Sequence, residues 1–316
     1  MMQHTPIIDL GSLGSKVNLY IKREDLLPFS FGGNKVRIAG EFYADMLRKG
    51  SNCMIGYGNS RSNLCRVLSN ICCANNTACH IVSPRDEDGS RVETMNSRLV
   101  NSSGTVLHIC SKKNVSKTVE EVIQQCTDEG MSPYYMYGNI FGSGNKDVPV
   151  RAYAKVYDEI STQSREMGVK FDYIFLATGT GMTQAGLEAG RALRNGEEKI
   201  IGISVARKAE QEIPILESYI DAYWTSIDQR STKKNLILTD KYLCGGYGKY
   251  NAQIERTIVE AYYRYGFPLD TTYTGKAFWG MKSMIEEQKL EGNVLFIHTG
   301  GTPLFFDQIA LFEGKK

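Results

Sequence analysis

No apolar run in the chain approaches the roughly 18–20 residues needed to cross a bilayer, so no helical membrane span is expected. Neither charge sign dominates: 37 lysines and arginines stand against 35 aspartates and glutamates, a formal balance of +2. Nucleic-acid binding and polybasic membrane attachment both depend on concentrated positive charge, so neither partner is expected. The first ten residues lack the basic stretch and apolar core of a secretory signal. There is also no Cys-x-x-Cys pair among the eight cysteines (53, 65, 72, 73, 79, 110, 126 and 244), and the four histidines (4, 80, 108 and 298) are scattered. Tetrahedral zinc sites usually draw ligands from short spacings, so no metal site is expected. At 316 residues the chain can bury a core without disulfide staples, and its cysteines read as reduced thiols of a cytoplasmic protein.

Strand-length apolar runs alternate with helix-period segments. The pattern predicts helix 41–48, strand 54–56, helix 63–74, strand 78–82, helix 91–99, strand 105–109 and helix 115–129. It continues with helix 149–164, strand 173–177, helix 184–194 and strand 199–205, and strand 294–297 comes near the end. Such alternation means a mostly parallel sheet with crossover helices, an α/β fold. Residues 45–147 read as a small α/β domain of three or four strands, with 138–147 as its exit. Residues 1–44 and 148–316 read as a larger domain. The expected architecture is two unequal lobes, each a mostly parallel twisted sheet flanked by helices, with a cleft between them.

Five segments could carry chemistry. In Phe31-Gly32-Gly33-Asn34-Lys35-Val36-Arg37, two glycines precede a helix and allow close backbone approach. Lys35, in the first turn, lies near the positive end of the helix dipole, which disfavours the ammonium and suits a Schiff-base lysine. The alternative is an ordinary turn and a solvated lysine. In Thr178-Gly179-Thr180-Gly181-Met182-Thr183-Gln184, a buried strand runs into a loop that opens a helix. Its N–H groups and hydroxyls could cradle a phosphate. It is neither a Walker loop nor Gly-x-Gly-x-x-Gly, because Gln184 stands where the third glycine belongs. Arg61-Ser62-Asn63-Leu64 also opens a helix and could be a simple cap or could hold a carboxylate. The last two are Tyr273-Thr274-Gly275-Lys276-Ala277 and His298-Thr299-Gly300-Gly301. The second follows a buried strand, where open α/β sheets place ligands. His298 could be a base, although a lone histidine at a strand end is more often structural.

As an ordered set these segments resemble the pyridoxal-phosphate (PLP) enzymes of the tryptophan-synthase-β fold (fold type II), most of all the 1-aminocyclopropane-1-carboxylate deaminase / D-cysteine desulfhydrase family. The resemblance covers Thr5-Pro6 to Pro303. It implies that Lys35 carries the cofactor and takes the substrate α-proton. It further implies that Asn63 bonds the cofactor ring oxygen and that Thr178, Gly179, Thr180, Gly181, Met182 and Thr183 hold the phosphate. Ser62 would lie against the cofactor or the substrate carboxylate, and Tyr247 and Tyr273 match two active-site tyrosines. Thr299 would neighbour the pyridine nitrogen, and by the same resemblance the larger domain would bind the cofactor in the cleft between the lobes. The substrate would be a small amino acid and the assembly a homodimer.

Two departures from the family pattern bear on the reaction. The deaminases carry glutamate where this chain has Thr274, as the desulfhydrases do. A neutral hydroxyl favours the protonated ring less than a carboxylate does, and the weaker electron sink suits β-elimination. Arg61 and Leu64 replace polar residues of the relatives at positions expected to touch substrate. Arg61 either faces solvent or pairs with a second anion on the substrate. The expectation is therefore a PLP-dependent lyase releasing pyruvate and ammonia. Cyclopropane ring opening, β-replacement synthesis and a ligand-binding relative without catalysis are the alternatives. A nicotinamide oxidoreductase shares the alternation but needs a dinucleotide fingerprint that the chain lacks.

Overall fold

The computed structural model describes residues 4–14, 16–86, 89–142, 144–229 and 235–312. The chain opens with strands β1 (Ile7–Leu13) and β2 (Val17–Lys22), followed by helix α1 (Asn34–Arg48). Then come β3 (Cys53–Tyr57), α2 (Asn63–Ala74), β4 (Ala78–Pro84), α3 (Met95–Asn101), β5 (Val106–Cys110), α4 (Val115–Asp128) and β6 (Pro133–Tyr135). The remainder is α5 (Asp147–Met167), β7 (Tyr173–Thr178), α6 (Met182–Arg194), β8 (Lys199–Ser204), α7 (Ala209–Ser226), β9 (Ile237–Thr239), α8 (Ala252–Tyr265), α9 (Thr274–Gln288), β10 (Gly292–Ile297) and α10 (Thr302–Phe306).

These elements form two compact units. One is Lys35–Pro149; the other joins the chain up to Asn34 with the chain from Val150 onward. The first break falls just inside α1, earlier than the 44/45 position read from the sequence, so α1 goes with the small unit. Helix α1 buries Ile38, Ala39, Phe42 and Met46. The expected helix at 91–99 is Met95–Asn101 instead, because Thr94 and Ser97 form a capping box that sets its start.

The small unit is a four-stranded parallel sheet in the order β5-β4-β3-β6. The large unit is a six-stranded sheet in the order β1-β2-β10-β7-β8-β9. Within it only β1 and β2 pair antiparallel. Strands β7, β8 and β10 are buried over nearly their whole length, as expected of central parallel strands covered on both faces. Phe175, Ile201, Ile203, Val294 and Phe296 from these strands pack with Ile258, Phe267, Phe278 and Met281. Among the described residues, no helix is long and apolar enough to cross a membrane.

Helices α5 and α6 approach closely because α6 carries glycine at 186 and 190. A Cβ on Gly186 would lie 2.3 Å from Tyr153 Cβ and 2.8 Å from the Val150 carbonyl oxygen. The second of these is backbone and cannot swing away. Gly186→Ala should therefore destabilise the protein by about 2–3 kcal/mol, towards the upper end for overpacking. Urea unfolding would measure this, and a change within about 0.5 kcal/mol, as for a neutral surface substitution, would contradict it.

Candidate active site

Strand β10 lies between β2 and β7 and runs parallel to both. The three C-terminal ends are therefore neighbours, and the loops that follow them share one edge of the sheet, where α/β folds bind ligands. The loop after β2 ends at Gly32-Gly33. The Gly33 N–H donates to Glu24 O at 2.8 Å, and the Asn34 N–H donates to Thr299 O at 3.0 Å. Gly33 has φ +96°, and a Cβ there would lie 2.9 Å from Thr299 O. Gly300, with φ +99°, would put a Cβ 2.5 Å from Gly33 Cα. Two glycines thus let two loops touch backbone to backbone. Helix α1 starts from this contact, and Lys35 is its second residue.

Lys35 is half-buried, and desolvation lowers its amine to about 8. Among the described residues it has no hydrogen bond or ion pair. Among the described residues two lysines are fully buried, and the amines of both have partners. Lys22 Nζ donates to Thr5 O and Gln163 Oε1 and pairs with Glu159. Lys276 is likewise lowered to about 8 by burial, but its amine donates to the carbonyls of Leu243 (2.8 Å), Gly246 (3.0 Å) and Val205 (3.4 Å). Lys276 is a buried tie between loops, which its motif in the sequence does not reveal.

After β7, Gly181 (φ +79°) turns the chain into α6 and provides no side-chain cap. The first-turn N–H groups of this 13-residue helix thus have no acceptor from a capping side chain, the arrangement that receives an anion. The loop hydroxyls differ in direction. Thr178 Oγ1 donates to Gln184 Oε1 at 2.8 Å, so the proton expected to reach a phosphate is turned into the sheet instead. Thr183 Oγ1 accepts from Asn34 Nδ2 at 2.8 Å and keeps its own proton. Thr180 carries no side-chain hydrogen bond among the described residues. Behind the loop, Arg207 donates to Gly179 O at 2.9 Å and to Glu212 Oε2 at 2.7 Å. Burial pushes the Glu212 carboxyl up, and the guanidinium opposes this. Arg207 is a cation beside the loop that the sequence motif does not contain.

Tyr273 stands next to this loop, its ring 3.8 Å from where a Gly179 Cβ would be. Its hydroxyl bonds the Tyr247 hydroxyl, with the rings edge to face at 5.7 Å. Tyr273 is held by buried Asp270, whose carboxylate accepts from the backbone N–H groups of Thr272, Tyr273 and Thr274 at 2.7–3.1 Å. Burial raises the Asp270 carboxyl, and these hydrogen bonds pull it down. Thr274, expected to contact the cofactor, gives its one hydroxyl proton to Asp270 Oδ2 at 2.8 Å and is fully buried. It therefore has no proton for a pyridine nitrogen. Thr299 is buried, and its hydroxyl has no hydrogen bond among the described residues. His298 is structural: Nε2–H donates to Pro268 O at 2.6 Å, and Nδ1 accepts from the Gly300 N–H at 3.2 Å.

In the small unit, α2 opens after β3 with Ser62 as N-cap, its Oγ accepting from Cys65 N at 3.2 Å. Asn63 Oδ1 accepts from Asn96 Nδ2 at 3.0 Å and from Arg66 at 3.4 Å. Two donors on the oxygen orient the amide and leave its NH2 as the donating end. Asn96 is held in turn by Arg66 Nε at 2.9 Å and bonds Arg61 O at 3.1 Å. The expectation for Arg61 changes: its guanidinium neither faces bulk solvent nor stands unpaired. It bridges both Asp86 oxygens at 3.0 and 3.2 Å, because the loop after β4 brings that carboxylate alongside. Leu64 is buried at 4 % exposure, a packing residue of α2.

Comparison with known proteins gives the family. Residues 2–300 match the family described as pyridoxal-phosphate dependent enzyme. A Pyrococcus furiosus protein provisionally named a 1-aminocyclopropane-1-carboxylate deaminase is 30% identical over 300 residues, covering 94% of this chain and 89% of its own. A D-cysteine desulfhydrase of Yersinia pestis is 29% identical over 312 residues, covering 96% of this chain and 92% of its own. The crystal structure of an ACC deaminase homologue superposes with a TM-score of 0.84 at 29% identity, over 98% of this chain and 93% of that one. The match over residues 2–300 and the superposition at 29% identity show the family: the chain belongs to the pyridoxal-phosphate dependent enzymes of fold type II.

Proposed function

We propose that the protein is a lyase that eliminates the β-substituent of a small amino acid, with D-cysteine as the representative substrate. Water is consumed, and pyruvate, ammonia and sulfide are released. The observation that carries this reading is Lys35, an amine lowered to about 8 by desolvation and without a partner among the described residues. The residues present fit the cofactor. Lys35 would carry it through its aldehyde carbon, and the NH2 of Asn63 would donate to its ring oxygen. The N–H groups after Gly181, with Thr180 and Thr183, would hold its phosphate. Thr299 would be the hydroxyl for its ring nitrogen. When bound, pyridoxal phosphate supplies the electron sink that makes the substrate α-proton acidic.

Lys35 accepts that proton, because near neutral pH an amine of this basicity exchanges protons in both directions. Within the tyrosine pair one phenol donates to the other, and Tyr273 or Tyr247 would pass a proton to the departing sulfur or hold the amino acid in place. Ser62 keeps its hydroxyl proton while its oxygen caps α2, so it can donate to the substrate carboxylate. A neutral residue at 274 in place of glutamate supports elimination over ring opening. The free state of all eight cysteines supports action in the reducing cytoplasm. The homodimer is the assembly that the resemblance implies.

A panel containing D-cysteine and 1-aminocyclopropane-1-carboxylate tests the reaction. Pyruvate with sulfide from the first is expected; 2-oxobutanoate from the second, without sulfide production from the first, would overturn the elimination reading. Borohydride treatment of the cofactor-loaded protein should mark the peptide bearing Lys35, and no mark should appear in Lys35→Ala.

Two further outcomes follow from the geometry. Cofactor uptake by the stripped protein needs the neutral amine of Lys35. Its rate should fall about tenfold per pH unit below about 8 and level off above it. A flat profile from pH 6 to 9 would remove the lowered amine from the account. Asn96→Ala removes one of the two donors on Asn63 Oδ1, a loss of about 1 kcal/mol or more. Cofactor affinity, read by fluorescence titration, should weaken about fivefold or more, while folded-state circular dichroism is retained.

A further inference from the structure

We propose that Cys53, His80 and Cys126 form a binding site for a thiophilic divalent cation, Zn2+, in the small unit. This proposal is independent of the lyase chemistry. Its ligands are far apart in sequence, which is why the short spacings typical of zinc motifs do not reveal them. The sheet register brings them together. Cys53 pairs with Ala78, and Ile55 pairs with His80. Side chains alternate along a strand, so Cys53 and His80 project from the same face of the sheet. Helix α4 covers that face and contributes Cys126, whose Sγ lies 3.5 Å from Cys53 Sγ. Cys79, one residue before His80, projects from the opposite face.

The donor atoms of the three residues all lie within 4.8 Å of one another, and all three residues are buried. Tetrahedral zinc with bonds of about 2.3 Å to sulfur would hold two thiolates about 3.8 Å apart. The observed 3.5 Å needs only a small adjustment. A Cys53–Cys126 disulfide would instead need the sulfurs to close to about 2.05 Å, and it would leave the buried imidazole beside them without a role.

The shell around the ligands is also what a metal-bound histidine requires. His80 Nδ1 lies 3.0 Å from His108 Nε2, and the two rings stack at 5.2 Å. A proton on His80 Nδ1, donated to His108, leaves Nε2 with the lone pair that a cation takes, and it fixes the ring. Charge favours zinc as well: two thiolates and a neutral imidazole around Zn2+ sum to zero, the net charge least penalised by burial. Three protein ligands leave the fourth tetrahedral position for a water.

Titration of the full-length, chelator-treated protein with Co2+ tests the site. One equivalent should produce sulfur-to-cobalt charge transfer in the near ultraviolet and intense visible bands of tetrahedral cobalt, and Zn2+ should bleach both. The bands should vanish in Cys126→Ser and persist in Cys79→Ser, each with the wild-type circular dichroism. His108→Ala leaves the three ligands in place and should keep the bands at about 10–100-fold weaker affinity. This variant serves if Cys126→Ser does not fold. Absence of cobalt bands from the wild-type protein would overturn the proposal. So would bands that survive in folded Cys126→Ser, or bands in His108→Ala at undiminished affinity.

Discussion

The contact on which the large unit's ligand-binding edge depends is made by two glycines. Gly33 and Gly300 bring the loops after β2 and β10 within backbone reach, and the Asn34 N–H closes the contact on Thr299 O. Neither position has room for a methyl group, and both have left-handed φ values that penalise an L side chain. One consequence is that α1 begins at a position set by strand ends rather than by a flexible turn, so the residue after Asn34 leaves the sheet in a determined direction. A second consequence is that Asn34 is free to bond Thr183 with its side chain, linking the start of α1 to the start of α6.

Burial of charge divides the lysines by role. Lys22 and Lys276 lose water but gain carbonyl or carboxylate partners, so each stabilises the loops it joins at little net gain in free energy. Lys35 loses water without that compensation, and the cost appears as a weaker hold on its proton. In the proposed site this matters because the neutral amine, a larger fraction near physiological pH than for an ordinary lysine, attacks a carbonyl that an ammonium cannot. The same contrast explains why lysine content, or a lysine in a recognisable motif, says little about chemistry until its hydrogen bonds are counted.

Several residues serve local structure and belong to the proposed site at once. Ser62 caps α2 while retaining a proton, and Asn63 is oriented by Asn96 and Arg66 at the start of the same helix. Asp270 gathers three backbone N–H groups and so places Tyr273 beside the loop after β7. Because helix capping and ligand orientation use the same N–H and hydroxyl groups, stability and site geometry are coupled at these positions.

The alternation of apolar runs with helical periods was enough to identify an α/β fold with parallel sheets and to place α2, α4, α6 and β7 within a few residues. It worked there because these elements obey a single local period against one covered face. Helices α7 and α9 escape such a reading: α7 carries Pro214 inside it, and α9 buries five consecutive residues from Thr274 to Phe278. Contiguous burial erases the 3.6-residue signal.

The ordered motifs likewise pointed to Lys35, Ser62, Asn63 and the loop after β7, since glycine and hydroxyl patterns at strand ends are local properties. Only the tertiary structure decided which hydroxyls are available and which are committed. Thr178 and Thr274 are turned to Gln184 and Asp270, and Arg61 is paired with Asp86. It alone placed Cys53, His80 and Cys126 on one face. Pattern along a chain reports the period of burial. The partner of a polar group depends on distances between residues remote in sequence, and those exist only once the sheets have formed.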